Sequence, residues 1–245
     1  MNLLNDNQHN KPDTQKAFTL IELVVVIGVA GILVGLLLPA LAKSKNAVLR
    51  SACLSNLRQQ SVAWFLYLDE NSERFPDRRD LKSALPGGYR PWSNWPASDP
   101  RAGWSGIVLT SYLTATTVFL CPSAKKKNFD SIPQVAQNIA SGGGGIISTY
   151  WMWRFDRTNT PVPLDNFWGK NPAECIADLR IANTPNAPPP SSASEVELIV
   201  DVYFPSTIAS LPENLRGRSA HAGGRNRVML DGSVGFYKDK RTMNE

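Results

Sequence analysis

Only two histidines, His9 and His221, occur in 245 residues, and the three cysteines, Cys53, Cys121 and Cys175, form no Cys-x-x-Cys pair. The ligand spacings that mark a structural zinc site are therefore missing, and no metal is expected. The chain has no G-x-S-x-G element and no dense acidic loop of the EF-hand kind. Calcium would need carboxylates from separate segments, such as Asp201, Asp231 or Asp239, so no cofactor is expected. Basic residues are numerous, 26 in a chain of formal charge +5, but they form no stripe with interleaved aromatics. They read as a solvated face, and no specific nucleic-acid partner is predicted. With three thiols, a domain lying outside the cytosol could close one disulfide and would leave one cysteine over. No internal repeat is present.

What the chain does have is one long stretch almost free of charge. From Phe18 to Leu38 the only ionisable residue is Glu22, and a helix of that length spans roughly 30 Å, the hydrocarbon thickness of a bilayer. A single transmembrane helix is the reading. A secretory signal peptide is the competitor, but the apolar run is too long for one. Flanking charge gives an awkward orientation. Lys11 and Lys16 precede the run while Lys43, Lys45, Arg50 and Arg58 follow it, which would place the C-terminal side in the cytosol. A carboxylate inside such a run is a functional-site hypothesis by default, and snorkelling of Glu22 to the headgroups is the plain alternative.

Periodicity carries the helix further. Leu49, Cys53, Leu57, Trp64 and Leu68 recur at spacings of three, four or their multiples, which predicts a continuation to about residue 70, before Asn71 and Pro76. Beyond it the sequence reads as α+β with many turns. "WSGIVLTSYL" (104–113) predicts a short helix. "TVFLCPS" (117–123), "IISTYWMWRF" (146–155) and "EVELIVDVYF" (195–204) predict strands, the last one buried. "SGGGG" (141–145) and "NTPNAPPPSSAS" (183–194) read as a flexible loop and an extended connector. Arg227–Leu230 and Ser233–Tyr237 flank Asp231-Gly232, which predicts a β-hairpin with a two-residue type I′ turn. Three of the seven tryptophans fall in "RPWSNWPASDPRAGW". An aromatic platform for a ligand is weighed there against the cover of a loop-rich core, and the core is favoured.

"KAFTLIELVVVIGVAGILVGLLLPAL" closely resembles the prepilin segment of type IV pilins and type II secretion pseudopilins. The resemblance implies that a prepilin peptidase at the cytoplasmic face removes a leader, residues 1–17, by cleaving between Ala17 and Phe18, and that the new amino terminus is methylated. Ala17 stands where the family usually has Gly. It further implies that Glu22 acts in subunit recruitment and that the part after the membrane helix is exported, against the charge count. The implied fold is pilin-like α+β: residues 18–38 as a transmembrane helix, and 71–245 as a globular domain with an antiparallel sheet, ending in the hairpin. The implied location is the inner membrane, single-pass, with the domain in the periplasm or on a surface filament. The spacing His221, nine residues, Asp231-Gly232 resembles a subfamily of prepilin-like proteins, as do "CLSNLRQ" (53–59), "RFP" (74–76) and "FLCPS" (119–123). That subfamily implies a Cys53–Cys121 disulfide, with Cys175 left over.

His221 with Asp231 is also the one pair that could serve acid–base or metal chemistry. The domain has no second histidine and no nucleophile motif, and the turn already accounts for Asp231, so both are read as structural, together with Gly232. The expectation is a non-enzymatic filament subunit whose partners are the peptidase, the membrane and other subunits. A minor pilin binding DNA or a surface is the second class, and a membrane-anchored envelope protein of other function is the third.

Overall fold

The computed structural model describes residues 18–93, 95, 97–113, 115–139, 147–182 and 188–243. The leader with Ala17, the 141–145 loop and the first part of the 183–194 connector lie outside the described residues. The chain divides into two compact units, one ending at Lys45 and the other starting at Asn46.

Helix α1 (Leu20–Glu70) runs through the division and contains Pro39. In the first unit every described residue is exposed, including Phe18 at 74% and Leu20 at 81%. A Val- and Ile-rich stretch is a mediocre helix former in water, but in lipid the backbone must satisfy its own hydrogen bonds, and a helix does so.

In the second unit α1 buries Cys53, Leu57, Gln60, Ser61, Ala63, Trp64 and Leu68 on one face. Trp64 is fully buried, and its ring centroid lies 5.7 Å from that of Phe75 and 5.8 Å from that of Trp104. The helix ends where Ser72 and Glu73 take left-handed backbone angles. The Glu73 N–H closes back on the Leu68 carbonyl at 2.8 Å, the closure usual at such a helix end. Phe75 then enters the core, and Arg74 outside it pairs with Glu174 at 2.7 Å.

Short elements follow: α2 (Asp80–Ala84), α3 (Gly103–Val108), α4 (Pro122–Lys126), and α5 (Pro172–Ile181) with an Asn171–Glu174 capping box. Strands β1 (Gln137–Asn138) and β2 (Ile147–Ser148) pair with each other. The main sheet is antiparallel in the order β3 (Tyr150–Trp151), β4 (Glu197–Asp201), β5 (Gly224–Met229), β6 (Val234–Lys238). The fold is α+β and pilin-like: a long apolar N-terminal helix and a domain with antiparallel sheets.

Three local expectations are corrected. Residues 117–123 form no strand. They make a 3-10 turn (Thr116–Phe119) and then enter α4 through Pro122, which suits a first helical position. The carbonyls of Val118 and Leu120, which a neighbouring strand would take, accept instead from the side chains of Gln60 (2.8 Å) and Asn56 (3.0 Å) on α1. Within 146–155, β2 and β3 belong to different sheets, because the chain changes partner at Thr149, whose N–H donates to Phe119 O at 3.0 Å. Trp153–Phe155 then turn as a 3-10 helix. The hairpin has a three-residue loop, Leu230–Gly232, rather than a two-residue one. Leu230 is buried and its N–H is held by Val196 O, so the turn starts one residue earlier. Gly232, at φ +83°, donates to Met229 O at 2.9 Å.

The solvated face also has exceptions. Lys82, Asp99 and Arg101 are buried together, with Lys82 Nζ donating to the carbonyls of Asp99 and Arg101 and the Arg101 guanidinium on the Asp99 carboxylate at 2.6 Å. Burial pushes the Lys82 ammonium down to about 8, against the pull of Asp99 and Asp156. Trp104 is fully buried, with its ring 4.5 Å from that of Trp168, and Trp92 is buried against Phe204, so this part of the tryptophan segment covers the core.

Candidate functional site

The residues singled out above fall in two places. At the start of α1, the Thr19 N–H and Oγ1 donate to Glu22 Oε2 at 2.9 and 2.7 Å, and the Glu22 N–H lies 3.3 Å from Thr19 Oγ1. This is a reciprocal capping box, which satisfies donors that a helix start otherwise leaves open. Its Thr-x-x-Glu signature before an apolar run was present in the sequence, yet the expectation above considered Glu22 alone. Among the described residues Glu22 Oε1 accepts no hydrogen bond. Phe18, next to the cap, is exposed.

The second place is the interior of the second unit. Cys53 on α1 and Cys121, just before α4, are bonded, with Cα atoms 5.1 Å apart. Cys175 is free and buried on α5, and that burial pushes its thiol far up, so it is unreactive. His221 does not meet Asp231. Its Nε2 lies 3.0 Å from Asp201 Oδ2, at the end of β4, and 3.7 Å from Cys121 Sγ. The His221 carbonyl accepts from Ser219 Oγ. Asp231 is exposed and holds the turn through the N–H (2.9 Å) and Oγ (2.7 Å) of Ser233. Gly232 rests on α1: Ser61 Oγ donates to its carbonyl at 3.0 Å, and an added Cβ would come within 2.4 Å of the Phe65 ring.

Asp201 is the partner that sequence reasoning missed. The signal was a carboxylate closing the apolar run "LIV" of a buried strand, where a charge needs a fixed partner. Its Oδ2 also accepts from Asn226 N–H at 3.0 Å, while Oδ1 is buried without a hydrogen bond. Calcium is poorly served by the three carboxylates weighed for it. Asp239 is already taken by Arg225 and Arg241. Burial would raise its carboxyl, but the Arg241 hydrogen bonds and both guanidinium charges hold it down at about 2.

The family model for the prokaryotic N-terminal methylation motif matches residues 13–38. The match covers the apolar start of the chain, where the helix is long and apolar enough to cross a membrane, and is consistent with a type IV pilin-like protein. No curated protein and no solved structure gives a match to the chain.

Proposed function

We propose that the chain is a structural, non-enzymatic subunit of a type IV pilus-like or type II secretion pseudopilus filament. Prepilin peptidase cleaves between Ala17 and Phe18, and the helix then leaves the bilayer to pack beside those of other subunits. The observation that carries this reading is the first unit itself, a helical segment with every described side chain exposed and one carboxylate at its start. Such a surface needs lipid or other apolar helices around it.

The capping box gives Glu22 a second capacity. Oε2 serves its own helix, and Oε1 is left to accept from the Phe18 ammonium of a neighbouring subunit, each charge offsetting the desolvation of the other. The Cys53–Cys121 bond supports an exported second unit, since disulfides persist in oxidising compartments.

The test compares the native chain and Glu22→Gln, each recovered from membranes with and without the peptidase, by intact mass, N-terminal sequencing and filament incorporation. The expected result is a methylated Phe18 start only where the peptidase is present, for both chains. Gln retains the cap but not the charge, so only the native chain should enter filaments. A Met1 start under every condition overturns the processing step, and equal incorporation of both chains overturns the charge-pair role of Glu22.

A further inference from the structure

Cys53, Cys121, Asp201 and His221 come from four separate segments: α1, the residue before α4, the end of β4 and the loop before β5. Each offers one ligand atom, all of these atoms lie within 4.8 Å of one another, and all four residues are buried. In the disulfide form this geometry is only partly used. Asp201 Oδ1 is fully enclosed and takes no hydrogen bond among the described residues, and such an orphaned carboxylate oxygen is costly unless something positive reaches it.

We propose that these four residues form a redox-gated site for a soft divalent transition metal, zinc by its chemistry, which is filled when the Cys53–Cys121 pair is reduced. Two thiolates, an imidazole and a carboxylate are a tetrahedral zinc donor set. With metal–sulfur bonds of about 2.3 Å and metal–nitrogen or –oxygen bonds of about 2.0–2.2 Å, the edges of such a tetrahedron are roughly 3.3–3.8 Å. The observed 3.7 Å from Cys121 Sγ to His221 Nε2 is already that length, and the 3.0 Å from His221 Nε2 to Asp201 Oδ2 is slightly short of it. The two bonded sulfurs must separate, and any pair near the 4.8 Å limit must draw in by about 1 Å.

The reductant is a dithiol. It transfers two electrons and two protons to the Cys53–Cys121 bond, which breaks into two thiols as the reductant closes its own disulfide. Zinc then displaces the two thiol protons, which pass to solvent, and the proton that His221 Nε2 holds toward Asp201 Oδ2 passes to Nδ1, freeing Nε2 for the metal. The ion and its three anionic ligands carry one net negative charge, which the Asn226 N–H on Asp201 Oδ2 helps to stabilise. A disulfide-bearing oxidant accepts the two electrons back and is itself reduced to a dithiol, the Cys53–Cys121 bond closes and the metal leaves. The same point of the fold is thus fastened either by a covalent bond or by an ion.

The test uses the full chain in detergent micelles with Cys175→Ser, so that only two thiols remain. It is reduced with a dithiol, freed of reductant without oxygen, and titrated with zinc alone and with cobalt alone. The expected result is one metal per chain in the reduced form and none in the oxidised form, with a cobalt spectrum showing thiolate charge transfer and tetrahedral ligand-field bands. Asp201→Asn, which keeps the side chain's shape, and His221→Gln should each weaken zinc binding by no less than the loss of an outer-shell partner does, roughly 10–100-fold. Near-ultraviolet circular dichroism checks folding, and Asp201→Asn carries the comparison if His221→Gln does not fold. The proposal is overturned if the reduced chain takes up no stoichiometric metal. It is equally overturned if reduction unfolds the domain, or if Asp201→Asn binds as tightly as the parent, which would leave the thiols alone collecting the ion.

Discussion

Between Leu20 and Lys45 helix α1 buries no residue, whereas between Asn46 and Glu70 it buries seven, among them Trp64 and Leu57 at zero exposure. The secondary structure is the same, but the apolar surface is disposed of differently. The second stretch presents one apolar face with polar side chains aimed at specific carbonyls, as Gln60 and Asn56 are. From Leu23 to Ala42 the first stretch is apolar all round and buries nothing against the chain. A helix apolar on every side is suited to a solvent, and one apolar on a single side is suited to a particular partner.

That contrast is open to attack at three strengths. Trp64→Ala should have the largest effect. Removing a fully buried indole from among Phe75, Trp104 and Phe155 should cost about 3–5 kcal/mol. In a thermal melt of the micelle-bound chain that is a fall of roughly 10 °C. An unchanged melt would mean that the second stretch is not anchored as described.

The second prediction concerns pH. The ammonium of Lys82 is held near 8 in the folded domain and returns to 10.5 on unfolding, so between those values the unfolded chain binds more protons. Stability should therefore rise from about pH 8 to about pH 10.5, by on the order of 3 kcal/mol. Lys82→Met should flatten the rise, and equal slopes in the two chains would remove Lys82 as its cause. The smallest effect is expected for Val34→Ala in the first stretch, where the side chain is 53% exposed. The melting temperature of the domain should hold within about 0.5 kcal/mol in free-energy terms, and a larger fall would tie the first stretch to the domain's stability.

Long-range order in the sequence was legible where a single period persists. The 3.6 period carried α1 to its end, and the apolar run 195–204 contained β4. It failed where tertiary partners decide. In 117–123 the β-branched residues have the composition of a strand, yet Gln60 and Asn56 occupy the carbonyls a strand would pair. At the hairpin, burial of Leu230 outweighed the Asp-Gly preference for a two-residue turn. The start of α1 was legible twice over, as an apolar run and as Thr-x-x-Glu. The interior cluster was not, because its ligands are contributed by segments up to 168 positions apart, from Cys53 to His221, and no local spacing encodes them. The charge count before and after the membrane run points one way across the bilayer, and the prepilin resemblance implies the other.

The bond from Ser61 Oγ to the Gly232 carbonyl joins positions 171 residues apart. During synthesis α1 emerges well before the hairpin loop that Ser61 holds. Strands β4, β5 and β6 cannot complete the sheet until nearly the whole chain has been made. Contacts this distant close slowly. The domain therefore stays incomplete until translation is nearly over.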